Sequence, residues 1–429
     1  MSPDAQPAAA NGSPSILRAR VVLPVSRGPI TDGFVRIAGN RILSLGRWRD
    51  LPDADRDQAH DLGEVILSPG LVNAHCHLDY TSMAGQIAPP RTFIDWIKLI
   101  TTNKSGAIYS DFAESWLNGA NMLLRTGVTT VGDIEMVHEL LPDVWTATPL
   151  RVISFLEMTG VKSRRPPAEI IQEALGRLDA LTHDRCRAAF SPHAPYSTTP
   201  ELLRLAAESA RARNLRLAVH VAESDQEFEM FANGRGAMFE WIARNGRDMS
   251  DCGLGSPVRH LARADVLGEN LLAIHANYLA RGDARLLGRH KVSVVHCPRS
   301  HAYFKHRKFH LRELTAARVN VCLGTDSLAS VYIKRGQTVE LSLFDEMRAF
   351  AAAEPSVSSR KIIQMATVNG ARALGLAGQV GELSPNAFAD LIAVPFTGKS
   401  AESWDALVQH RGDVAASMIG GQWAIAPRS

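Results

Sequence analysis

The chain lacks the marks of several protein classes. Its 429 residues include only five cysteines (Cys76, Cys186, Cys252, Cys297 and Cys322), and no two form a CxxC pair. That pattern argues against a disulfide framework and a thiolate zinc site, and it fits a reducing cytoplasm. No apolar run reaches the roughly 18 residues a membrane helix needs, so no span is expected. The net charge of +3 is too small a bias to suggest a nucleic-acid partner. The opening "MSPDAQPAAANGSPS" has neither a basic start nor an apolar core, so no secretory signal is expected. It reads as a disordered tail over residues 1–15.

What is present suits a soluble enzyme. Hydrophobic residues make up 45% and charged residues 21%, an ordinary globular balance. The length suits an α/β barrel with a smaller companion. Residues 16–68 are short, β-branched and broken by Gly and Pro, and 379–429 have the same texture. Both ends are therefore expected to build one small β-sandwich. The middle, 69–378, alternates short apolar strands with helical runs. Eight strand candidates appear: "LVNAHCH", "VTTVGDIE", "LRVISFLEM", "CRAAFSPHAPYS", "LRLAVHVAES", "LLAIHANYL", "VSVVHCPRS" and "VNVCLGTDS". "TPELLRLAAESARARN" opens like a helix, with Thr199 as N-cap and Pro200 at the first position.

The count alone fits an open sheet or a (β/α)₈ barrel. The polar strand ends favour the barrel. His75, His77, Asp133, Glu135, Glu157, His193, His220, Glu223, His275, His296 and Asp326 all fall at or just beyond strand ends. A barrel gathers such ends around one mouth, whereas an open sheet spreads them out.

Residues i and i+2 of a strand share a face. His75 and His77 can therefore aim two imidazoles into one cavity. By itself an HxH is more often two polar residues at a strand end. His220 and Asp326 change that reading, because three imidazoles and one carboxylate suit Zn²⁺ or Fe²⁺.

The order HxH, "HVAE", "IHANYL", "HCPRS", "GTDS" resembles the amidohydrolase superfamily. Within it, the pattern is similar to the cytosine deaminase and S-adenosylhomocysteine/aminofutalosine deaminase-like group. The resemblance covers nearly the whole chain, from "SPGLVNAHCH" to "ATVNGARALGL" and "GELSPNAFADLIAV". It implies a (β/α)₈ metal-dependent hydrolase with one divalent ion held by His75, His77, His220 and Asp326. Two-metal members usually carry a carboxylated Lys in strand four; "CRAAFSPHAPYS" has none, which argues for a mononuclear site.

The resemblance also assigns roles. Glu223, three residues after His220, matches a carboxylate that carries a proton to a ring nitrogen. His275 matches a histidine that orients the attacking water together with Asp326. His193 matches a substrate contact, though a loop-stiffening bond between two prolines competes. Glu157 reads as a pocket residue. Arg299 could grip a carboxylate or phosphate on the substrate, or pin its loop. "FIDWIK" (Phe93 to Lys98) is similar to a lid, which makes Trp96 a substrate contact; a plain amphipathic face is the alternative. The following "LITTNKSGA" lacks the ribose-gripping Glu of S-adenosylhomocysteine deaminases. "KHRKFH" (Lys305 to His310) reads as a solvated basic loop, and Asp225 and Glu227 as solvated helix residues.

The implied activity is hydrolytic deamination of a heteroaromatic amine of purine, pterin or aminofutalosine type. Cyclic-amide hydrolysis (imidazolonepropionase-like), carbon–halogen hydrolysis (triazine hydrolase-like) and binding without catalysis are the rivals. The expected partner is a small-molecule substrate, without nucleic acid or membrane. A homodimer is a common assembly for soluble enzymes.

Overall fold

The computed structural model describes residues 15–161, 165–333 and 338–427. The expected tail, 1–15, lies outside them except for Ser15. Strands β1 (Ser15–Val22), β2 (Ile30–Ala38), β3 (Arg41–Arg47), β4 (Ala59–Asp61) and β5 (Val65–Pro69) come from the N-terminal stretch. Gly70 then leads directly into the barrel strands: β6 (Leu71–Cys76), β7 (Val128–Glu135), β8 (Arg151–Glu157), β9 (Arg187–Ser191), β10 (Leu217–Val221), β11 (Leu271–His275), β12 (Ser293–His296) and β13 (Asn320–Leu323). Strands β14 (Leu391–Pro395), β15 (Ala416–Ile419) and β16 (Gln422–Ile425) close the chain.

The eight middle strands pair in chain order, each parallel to the next. An isolated parallel bridge between Cys76 and Asp326 brings the last strand back to the first. Around it, the Thr325 N–H donates to the His75 carbonyl at 3.0 Å, and Asn73 Nδ2 to Thr325 Oγ1 at 2.8 Å. Gly324 permits this closure, because a Cβ there would lie 2.8 Å from the His75 carbonyl oxygen. The barrel is thus sealed where two expected metal ligands, His75 and Asp326, sit side by side.

Inside the barrel, Val72, Ile153, Phe155, Ala218, Leu272 and Val295 form one cluster with Ala371, Leu374 and Val380. The "ATVNGARALGL" segment therefore packs with the barrel interior, and Gly370 gives it room: a Cβ there would lie 2.9 Å from the Val72 carbonyl. Helices cover the outer surface, including Tyr109–Arg125, whose Trp116 and Leu123 are fully buried. Helix Pro200–Ala212 starts as its sequence implies: Thr199 caps it by accepting the Leu202 N–H at 3.2 Å, and Pro200 takes the first turn.

The terminal strands join as one mixed sheet, ordered β16-β15-β14-β5-β1-β2-β3, with β4 added beside β1. The sandwich expected from both termini is thus a single hydrogen-bonded sheet. A buried ion pair ties it to the barrel: Arg151 Nε of β8 donates to Asp390 Oδ2 at 3.1 Å, and Asp390 also accepts the Gly420 N–H at 2.7 Å. No helix among the described residues is long and apolar enough to cross a membrane.

Candidate metal centre and active site

Local backbone geometry decides which side chains reach the barrel mouth. On β6, Val72 and Ala74 face the barrel interior. Strict alternation would turn Cys76 inward next. A register shift between Asn73 and Cys76 changes the phase. Cys76 joins the outer core instead, and His75 and His77 turn to the mouth. On β10 the alternation holds, and His220 follows Ala218 inward. On β11 it would send His275 outward after Ile274, but His275 takes a left-handed backbone at φ 73°. Ala222, Ala276 and Asp326 are left-handed too, at 51°, 47° and 55°. Such conformations carry strain for side chains with a Cβ, and strain of this kind gathers at functional sites.

The imidazoles and the carboxylate converge. His77 Nε2 lies 3.3 Å from His220 Nε2. Asp326 Oδ1 is 3.6 Å from His75 Nε2 and 3.8 Å from His77 Nε2. Donor atoms of His75, His77 and Asp326 lie within 4.8 Å of one another, as do those of His75, His220 and His275. The geometry thus places His275 as near as a ligand, although the resemblance assigned it to orienting water.

This donor set fits one divalent ion. Both ring nitrogens of His75 are buried without a hydrogen-bond partner, a costly state for a polar group unless something else engages it. His220 Nδ1 lies 3.1 Å from the His193 carbonyl; a proton there leaves the Nε2 lone pair facing the cavity, the usual arrangement behind a metal-bound imidazole. Burial and the crowding of neighbouring imidazoles push the pKa of His77 and His220 well down, and burial takes His275 to about 3, so all three stand neutral. Burial alone would raise Asp326, yet its histidine neighbours hold it well below the carboxylate range.

Glu223 completes the mouth. It is 5% exposed, and its Oε1 is 3.5 Å from His275 Nε2. Burial first, then the charges of Asp326 and Glu227, push its proton affinity well above that of an ordinary Glu. His77, His220, Glu223, His275 and Asp326 open onto one cavity of about 490 Å³.

Three of the four expected substrate contacts line the same cavity: His193, Glu157 and Trp96. His193 also performs the competing structural role, with Nδ1 2.6 Å from Ser197 Oγ. Trp96 belongs to helix Phe93–Lys104, which covers the mouth, and its Nε1 donates to the Ala329 carbonyl at 3.3 Å.

Arg299 does not line the cavity. Its backbone N–H donates to Glu346 Oε2 at 2.9 Å, its Nε to the other Glu346 oxygen, and its Nη2 to the Glu340 carbonyl at 3.0 Å. The pinning role wins because Glu346 is fully buried and needs a cation. Arg299→Met should therefore leave KM near the parental value while costing about 3–5 kcal/mol of stability. Denaturant unfolding beside steady-state kinetics checks this; a raised KM with unchanged stability would restore the substrate role.

Other strand-end groups are structural. Asp133 accepts the Leu78 N–H and Trp116 Nε1, both at 2.9 Å, and Glu135 accepts the Val137 N–H. His296 stacks on Phe309 at 3.9 Å. In the basic loop, Lys308 pairs with Glu354 at 3.6 Å, and His306 Nδ1 is 3.2 Å from the Tyr278 hydroxyl.

Two residues at the site carry no expectation from the sequence. Tyr80 stacks on His77 with ring centroids 5.0 Å apart. Lys104 donates to the Tyr80 hydroxyl and lines the cavity. The signal for Lys104 was available: Trp96, Ile100 and Lys104 recur at four-residue spacing, on one helical face. Glu227 departs from its expectation. It is fully buried, not solvated; only Asp225 of that pair is exposed.

Comparison with known proteins bears on the fold and the family. Residues 66–424 match the Amidohydrolase family. A 5-methylthioadenosine/S-adenosylhomocysteine deaminase of Syntrophobacter fumaroxidans is 29% identical over 382 residues, covering 85% of this chain and 80% of that protein. Helicobacter pylori aminofutalosine deaminase, solved with methylthio-coformycin, superposes with a TM-score of 0.85 at 23% identity, covering 96% of this chain and all of that one. A Xanthomonas campestris adenosine deaminase with bound zinc gives 0.81 at 23% identity, covering 96% and 93%. The two structures establish the fold, and the match over residues 66–424 establishes that this chain belongs to the amidohydrolase family.

Proposed function

We propose that this hydrolase deaminates an adenine-type heteroaromatic amine, replacing the ring amino group by oxygen and releasing ammonia. The observation that carries the reading is Glu223, whose carboxyl faces the same cavity as the ligand cluster, 3.5 Å from His275. The relative named as a 5-methylthioadenosine/S-adenosylhomocysteine deaminase supports the substrate class.

One divalent ion, Zn²⁺ or Fe²⁺, held by His75, His77, His220 and Asp326, would supply a water with its pKa lowered to about 7. The protein must then manage protons. A ring nitrogen beside the amino-bearing carbon has to gain one proton of the water as it adds, and the amino group has to gain the other to leave as ammonia. Glu223 takes the proton from water and delivers it, and its buried setting favours holding one between transfers. His275 and Asp326 orient the water. His193 and Glu157 contact the substrate, and Trp96 with its helix shields the mouth from solvent.

The test is a panel of S-adenosylhomocysteine, 5′-methylthioadenosine, adenosine and aminofutalosine, assayed with zinc-loaded protein. At least one should give stoichiometric ammonia together with the absorbance change of adenine becoming hypoxanthine. Chloride release from a chlorotriazine, or hydrolysis of a cyclic amide, without ammonia from any amine would overturn the proposed reaction and leave the family assignment intact.

A further inference from the structure

We infer that Glu227 is a positioning residue that holds the Glu223 carboxyl at the reacting site. This rests on the proposed role of Glu223 and extends it. Strand β10 ends at Val221, and the chain turns through Ala222 in a left-handed conformation at φ 51°. The turn takes the amides of Ala222 and Glu223 out of the sheet ladder while both residues stay buried. Buried amides need acceptors. Glu227 supplies both: Oε1 accepts the Ala222 N–H at 3.0 Å, and Oε2 accepts the Glu223 N–H at 2.8 Å.

This is not ordinary helix capping. Ser224 is the N-cap of helix Asp225–Asn233, and its side chain accepts the Glu227 N–H at 3.1 Å. In a capping box, the glutamate three residues on returns to the N-cap amide. Here it reaches past Ser224 to the two preceding amides, one of them Glu223's own. The other side of the turn is held as well: Asn277 Nδ2 donates to the Glu223 carbonyl at 3.0 Å, and the Tyr278 N–H donates to the Ala222 carbonyl at 3.0 Å. Through these two hydrogen bonds Glu227 acts on the backbone of Glu223, and so on where its carboxyl stands.

Glu227→Gln keeps the shape but leaves one acceptor oxygen for two amides. In zinc-loaded protein assayed with S-adenosylhomocysteine, or with the fastest substrate of the panel, kcat should fall about 10–100-fold with KM little changed, as expected for a misplaced catalytic group. The double variant Glu223→Gln/Glu227→Gln should be no slower than Glu223→Gln alone. Hydrogen exchange read by mass spectrometry should quicken about 10-fold over residues 222–224, while the helix beyond stays protected.

Glu223→Gln inactive beside a normal Glu227→Gln would overturn the inference and leave Glu223 in place. Multiplying penalties in the double variant would overturn it as well, since they assign Glu227 a separate structural role. If Glu223→Gln itself proves near normal, it is the reading of Glu223 that fails. The exchange data then decide alone whether Glu227 holds the turn, and unchanged exchange overturns that too.

Discussion

Glu223→Gln is expected to lower kcat by about 10²–10⁴-fold while the protein keeps its fold and its metal. The amide has the size of the carboxyl, so this buried side chain is replaced without a cavity. It cannot accept a proton from water and return it to a ring nitrogen. One residue serves both transfers, which favours the upper end of the range. The loss should fall on kcat rather than KM, because ground-state binding asks for no more than a hydrogen bond there. Asp225→Asn, on the exposed first turn of the next helix, should stay near the parental rate and controls for general damage. Metal content and turnover have to be measured on the same preparation. Full metal with near-normal kcat would remove Glu223 from the mechanism, and Glu157, in the same cavity, would be the next carboxylate to replace.

The second large effect concerns the metal. Elemental analysis should find about one Zn²⁺ or Fe²⁺ per chain, since three imidazoles and one carboxylate complete a four-ligand site. His75 belongs to both donor groups, the one with His77 and Asp326 and the one with His220 and His275. His75→Ala should therefore lose the ion together with nearly all activity. Chelation should inactivate the parent protein, and zinc should restore it. Stability gives an independent readout. A ligand that binds only the folded state stabilises by about 2.7 kcal/mol at a hundredfold excess over Kd. Zinc should thus raise the Tm of the stripped parent and leave that of His75→Ala unmoved. Asp326→Ala should also lose most activity. Two tightly held ions per chain, both needed for turnover, would refute the single-ion site.

The placement of the site residues is largely legible in their order along the chain. HxH, HVAE and GTDS sit at strand ends, and a parallel barrel must bring such ends to one mouth, so the sequence alone places His75, His77, His220, Glu223 and Asp326 together there. The eight strands were legible for a similar reason: short apolar runs between helical ones are a local pattern.

Other features depended on the folded chain. Alternation says that His75 and His77 share a face; the shift between Asn73 and Cys76 decides that this face is the mouth. The left-handed turn at His275 does the same for β11. Arg299 and Glu227 show the limit most clearly. Each is a charged residue whose neighbouring sequence leaves its role open. Arg299 is consumed by Glu346, 47 positions away, and Glu227 is buried against the turn that carries Glu223. Local sequence carries the periodicity of each element, because side-chain spacing is set within a few residues. Which charges meet in the low-dielectric interior is set by contacts between distant segments, and only the closed barrel decides those.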